Sequence, residues 1–130
     1  MEDIIAVNDK VNVGYDPSIK IFFKWYSGEI ILDDIFRSWD YIIDNNLIPS
    51  GVKGFVLDYT NVDLKIDASG AGDITDFYNN HPHIFEGKKI ALIMNTPGQV
   101  IFPLLVASSN PQYYPKPFMT EEAAIRWILE

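Results

Sequence analysis

The chain reads as an α/β domain: an N-terminal β-hairpin, then alternating helices and strands around a mostly parallel central sheet with an antiparallel edge strand and about four helices. Three observations predict this. Residues 19–26 alternate with the period of two expected of a strand. The apolar runs Gly54–Tyr59 and Ile90–Met94 suit strands covered on both faces, as in a parallel sheet. Separating and flanking them are stretches with apolar residues three and four apart, the spacing of amphipathic helices.

Taken in order, Val11–Val13 and Ile19–Tyr26 form the hairpin, with Tyr15-Asp16-Pro17-Ser18 as its turn, because proline presets φ at the second turn position. In the second strand Ile19, Ile21, Phe23 and Trp25 are expected on the core. Lys20, Phe22, Lys24 and Tyr26 are expected on the other face. A helix over about Asp33–Asn45 carries Ile35, Phe36, Trp39, Ile42 and Ile43 on one stripe, with Asp33 and Asp34 at the positive end of its dipole. The buried strand Gly54–Tyr59 follows, then a helix near Ala71–Asn80 that His81-Pro82 should stop. After the strand Ile90–Met94, a third helix is expected from near Pro97 to Ser108. Tyr113–Phe118, with two prolines, reads as an edge strand. Thr120 caps the last helix, and Glu121 and Glu122 sit in its first turn. No repeat or linker-like tract interrupts the chain, so residues 1–130 are read as one domain.

Composition narrows the function class. The chain has 130 residues and a formal net charge of −8, which argues against a nucleic-acid binder, since that needs a basic patch. Without cysteine there is no disulfide framework, thiolate metal site or cysteine nucleophile. Acids stand at the N-terminus where a signal peptide would carry lysine or arginine. The longest apolar run, Val100–Ala107, is eight residues with a proline inside, against roughly 20 for a bilayer span. A cytoplasmic location is the resulting expectation. No Gly-x-Ser-x-Gly elbow, Walker loop or dinucleotide fingerprint is present, so neither enzyme chemistry nor a cofactor is expected. His81-Pro82-His83 reads as a surface loop rather than a metal site, and Asp73 and Asp76 as a solvated helix face.

One stretch has chemical content. In α/β sheets, sites collect beyond the carboxyl ends of the strands. There Asp67-Ala68-Ser69-Gly70 falls where the second helix must begin, after Asp58 at the end of the central strand. Free N–H groups at a helix start can hold an anion, and a serine hydroxyl there is accessible to a kinase. The plainer reading is that Asp67 or Ser69 caps the helix and that Asp58 ties down its loop through an Asx-type turn.

This segment resembles the STAS domain, the fold of bacterial anti-sigma factor antagonists. In that family a strand ending in Asp or Asn precedes a short loop and an Asp-Ser-Ser-Gly motif opening a helix. The resemblance implies that Asp58 ends the strand, Asp67 opens the motif, Ser69 is the phospho-acceptor that switches partner binding, and Gly70 follows it. The order of elements is similar over most of the chain, including the closing strand and helix at Phe118–Trp127. Ala68 stands where a serine is usual, and Ala71 where a larger aliphatic residue is usual. These departures move the resemblance toward the SpoIIAA-like branch, also described as STAS/SEC14-like, whose members are suggested to bind small lipophilic ligands or membranes.

The chain's own apolar features allow that alternative. Val100–Ala107 lacks the polar positions of a surface helix. It reads either as a buried crossover helix or as a hydrophobic ligand surface through Phe102 and Leu105, extended by Tyr113, Tyr114 and Phe118. The expected function is thus a non-enzymatic STAS-type regulatory module whose partner is an anti-sigma or kinase-like protein. The alternative is a carrier or sensor of a lipophilic molecule, in the cytoplasm or membrane-associated. A homodimer is compatible with either. The charge is concentrated: residues 33–76 hold 9 acids and 3 bases, net −6, while residues 77–130 hold 4 of each.

Overall fold

The computed structural model describes residues 3–67, 69–95 and 111–130. Its strands are β1 (Ile5–Ala6), β2 (Val11–Asp16), β3 (Ile21–Ile30), β4 (Gly54–Leu64), β5 (Lys89–Ile93) and β6 (Tyr114–Phe118). The helices among the described residues are α1 (Leu32–Asp44), α2 (Ser69–Asn79), α3 (Pro82–Phe85) and α4 (Glu121–Leu129). One six-stranded sheet contains all the strands among the described residues, and their spatial order is β1-β2-β3-β4-β5-β6. β2 pairs antiparallel with both β1 and β3, and β3 through β6 run parallel. The expected α/β architecture is therefore present, with β1 as an additional edge strand. The helix expected from Pro97 to Ser108 lies outside the described residues.

The hairpin closes around Asp16, whose carboxylate accepts from Ser18 N at 3.0 Å and Ser18 Oγ at 2.6 Å. These bonds pull the Asp16 carboxyl below its ordinary range, the Ser18 hydroxyl contributing most. Lys20 completes the turn with φ +58°, and its N–H donates to Asp16 O at 2.7 Å.

Both faces of the sheet are covered, which corrects one expectation. Ile21 and Phe23 face α4 and pack with Val56, Ala91, Ile93, Ala124 and Ile128. The opposite row, Phe22 and Tyr26, faces α1, α2 and α3 and belongs to the larger core around Trp39, Phe55, Tyr78 and Phe85. Lys24 lies on this second row and is fully buried, whereas Lys20 remains exposed. An interior strand of a parallel sheet has no solvent face, so a lysine in it cannot simply point to water.

α1 follows from its stripe: Ile35, Trp39 and Ile42 are buried, with Phe36 and Ile43 half-buried beside them. Its first N–H groups gain no polar cap from Ile31; instead the Asp34 carboxylate accepts from Ile31 N at 2.9 Å. The helix ends with Asn46 at φ +53°, and Leu47 N reaches back to Ile42 O at 3.0 Å, a Schellman-type closure.

β4 runs longer than the expected Gly54–Tyr59. Beyond a register shift near Trp25 and Ser27 it continues along β3, pairing Ser27–Ile30 with Asn61–Leu64. At the other edge Pro115 and Pro117 alternate with the residues of β6 that can donate to β5, so the missing N–H groups fall on the open side. Thr120 caps α4 as expected, its Oγ1 accepting from Ala123 N at 3.2 Å.

Candidate functional site

The loop from Lys65 to Asp67 leads into α2, and its geometry is set by Asp67. One carboxylate oxygen accepts from Ser69 Oγ at 2.6 Å and from Gly70 N at 3.2 Å, so Asp67 is the helix cap. The Ser69 hydroxyl, then the Gly70 N–H, hold the Asp67 carboxyl below the usual carboxylate range. Asp67 and Ser69 are exposed, whereas Gly70 is buried. A Cβ on Gly70 would lie 2.4 Å from Ile66 Cγ2, so only glycine lets the helix start this close to the incoming chain.

Beside this turn lies a groove of about 370 Å³ between the N-terminal ends of α1 and α2. Its lining includes Ile31, Leu32 and Asp33 from the start of α1, and Ile66, Asp67, Ser69 and Asp73 from the α2 side. Ile31 is 45% exposed, an apolar residue left on the surface at the groove. The flanking charges are engaged locally: Arg37 pairs with Asp33 at 2.7 Å, and Lys65 with Asp63 at 3.4 Å. The groove's sequence origin is diffuse, because Ile31–Asp33 and Lys65–Asp73 come together only through the parallel β3–β4 pairing that carries Ile30 to Leu64.

Asp58 is not part of this groove. It does not end β4, as the sequence suggested; it marks where β5 stops pairing, at Asp58↔Ile93, while β4 runs on to Leu64. Its carboxylate accepts from Thr60 N at 2.8 Å, the Asx-type bond expected of it. Two residues from Val56, it points toward the α4 face. There it acts on Glu121, whose carboxyl is pushed up by burial first and by the Asp58 charge second. The structure thus unites Asp67, Ser69 and Gly70 and places Asp58 elsewhere.

Of the residues expected to form an apolar ligand surface, the described ones, Tyr113, Tyr114 and Phe118, do not all share one face of the sheet. Phe102 and Leu105 lie outside the described residues. Tyr113 is a core residue, 2% exposed, meeting Tyr78 edge-on at 4.9 Å. Phe118 packs against Trp127 of α4, at 5.4 Å, and Tyr114 projects outward with 61% of its surface exposed. Alternation along the chain here turns Tyr113 to the α2 face and Tyr114 and Phe118, of the opposite parity, to the α4 face.

A different pocket, of about 280 Å³, opens at the other end of the sheet. It is lined by Ile42, Ile43, Ile48, Val52 and Ile84, with His83 and Lys88 among its polar residues. Lys88 Nζ donates to Val52 O at 2.8 Å. The two imidazoles of the His81-Pro82-His83 stretch lie 6.3 Å apart between centroids, and His81 Nδ1 is bonded to Phe77 O at 2.8 Å. Among the described residues no group of three or more acidic or imidazole side chains could hold a metal ion. None of their helices is long and apolar enough to cross a membrane.

No protein-family model and no curated protein matches the chain. Among solved structures it is similar to an uncharacterised protein of the DUF3478 family from Shewanella loihica PV-4, described as having a SpoIIAA-like fold. The TM-score is 0.61 at 17% identity, over 98% of this chain and 97% of that one. The mixed sheet, with its antiparallel entry strands and parallel remainder, thus has a SpoIIAA-like fold.

Proposed function

We propose that this protein is a non-enzymatic, STAS-type regulatory module that docks a protein partner at the groove beside α2, with Ser69 as the position where phosphorylation alters docking. The observation that supports it is the exposed Ser69 hydroxyl at the start of α2, lining a groove with Asp33, Asp67 and Asp73. Its hydroxyl already donates to Asp67, so modification would break that bond and set a phosphate beside carboxylates. A phosphate adds about −1.5 to −2 charge, which strengthens the pull on a basic partner, while its bulk and the loss of the Ser69–Asp67 bond spoil a contact shaped to the unmodified turn. The partner of the unmodified form is then basic at its contact, and the setting is the cytoplasm. Affinity capture from the native host with wild type, Ser69→Ala and Ser69→Asp tests this. One specific protein should be held by wild type and Ser69→Ala and lost by Ser69→Asp, or the reverse; identical capture profiles for all three would refute the switch.

A second reading, a carrier or sensor of a small lipophilic molecule, is favoured by the isoleucine-lined pocket at the opposite end of the sheet. Native mass spectrometry of freshly purified protein should then show a bound apolar ligand. Ile84→Lys should abolish it without unfolding the chain. Apoprotein alone, from host and heterologous cells alike, would set this reading aside.

A further inference from the structure

Lys24 is 0% exposed at the centre of β3, opposite Val13 of β2 and Leu57 of β4. Its Nζ sits 3.9 Å from the centroid of the Trp39 ring, from α1, and 4.6 Å from that of Tyr26. It is buried, and among the described residues it has no hydrogen-bond partner. No described carboxylate pairs with it.

Besides Lys24, the buried titratable groups on this side of the sheet are phenols: Tyr15 from β2, Tyr26 from β3, Tyr59 from β4, Tyr78 from α2 and Tyr113 ahead of β6, with His81 half-buried beside Phe77. Burial pushes Tyr26, Tyr59, Tyr78 and Tyr113 up, which keeps them neutral. α1 directs Ile35, Ser38, Trp39 and Ile42 inward; its acids Asp33, Asp40 and Asp44 lie exposed, and half-buried Asp34 is taken up by Lys10 at 3.3 Å and by Ile31 N at 2.9 Å. An ammonium here would have two ring faces and no counter-charge, which does not replace its lost hydration.

We propose that Lys24 is held uncharged beneath α1 and acts as an acid-operated latch: on taking up a proton it leaves for water and lifts α1 off the sheet. The direction of opening follows from the packing. β3 is hydrogen-bonded to a strand on each side, so the sheet cannot part there without losing backbone pairs, whereas Trp39 covers Nζ by side-chain contact alone. Burial lowers the Lys24 pKa well below its ordinary 10.5. Between that lowered value and 10.5 the unfolded chain binds one more proton than the folded chain. The unfolding constant should therefore rise about tenfold for each pH unit of acidification within the window, and level off below it.

The test compares urea unfolding of wild type and Lys24→Met from pH 6 to 10, with amide hydrogen exchange on both. The ratio of wild-type to variant unfolding constants should climb as pH falls, and α1 amides of the wild type alone should lose protection ahead of those of β4 and β5. Parallel unfolding curves would overturn the uncharged lysine, and uniform loss of protection would overturn the α1 latch. Should Lys24→Met fail to fold, the Cε resonance of Lys24 in the wild type decides. Titration well below that of the exposed lysines supports the proposal, and titration together with them overturns it.

Discussion

Trp39 Nε1 donates a hydrogen bond to Tyr78 Oη at 3.0 Å, fastening α1 to α2 above the sheet. The two rings meet edge-on at 5.9 Å, and Phe85 of α3 closes on both, at 5.1 Å from Trp39 and 4.6 Å from Tyr78. Three helices thus converge on one aromatic cluster, with Phe55 of β4 beneath it, 6.1 Å from Trp39. Such contacts are directional, so they fix the relative placement of the helices as well as burying area.

Tyr78→Phe keeps the ring and deletes the acceptor, leaving the Trp39 N–H buried and unpaired. The expected loss is about 1–3 kcal/mol of unfolding free energy, read from the urea midpoint with an unchanged denaturant slope. A neutral result would mean that water or another acceptor takes over the indole.

Gly70→Ala forces a Cβ to within 2.4 Å of Ile66 Cγ2, on a β-branched side chain with little rotamer freedom. Overpacking of this sort costs about 1–3 kcal/mol. Ile66→Ala removes the clashing methyl, so the double variant should be less destabilised than the two single losses added together. A double-mutant cycle of thermal or urea unfolding measures that coupling.

The Asp67 carboxyl is depressed in the folded chain, so its contribution to stability is full above the ordinary carboxylate pKa. It is lost as pH falls through the lowered folded value, when the carboxylate that accepts from Ser69 and Gly70 becomes protonated. Asp67→Asn keeps one oxygen acceptor and should flatten this acid-side slope while lowering the melting temperature near neutrality only slightly. Asp67→Ala should lower it more. Melting curves between pH 2 and 7 on the three proteins distinguish these outcomes.

Much of this architecture is legible without coordinates, and what escapes does so for identifiable reasons. Thr120 followed by two glutamates announced α4 because capping is a local bond, made here with Ala123 N at 3.2 Å. Lys24 was placed on an outer face because one lysine in an alternating strand normally marks solvent. The contrary signal lay in the neighbours of its row, Phe22 and Tyr26, which leave no polar stripe on β3. β4 looked finished at Asp58, yet Val62 and Leu64, half-buried, alternate with exposed Asn61 and Asp63, the pattern of a continuing strand. Within the candidate site, Asp67, Ser69 and Gly70 were readable as one turn. Ile31 and Asp33 were not, because they reach the same groove only through tertiary pairing.

Because the six strands lie side by side in the order in which they occur along the chain, no strand has to insert between two partners already joined. Each one, as it leaves the ribosome, meets an edge left open by its predecessor. Synthesis at about 5–20 residues per second leaves ample time for a hairpin to form before the next strand appears, since hairpins close in microseconds. Growth of the sheet can therefore keep pace with translation from β1 to β6. The proline-bearing last strand, with donors missing along its outer side, then leaves a poor template for a second copy and brings the addition of strands to a halt.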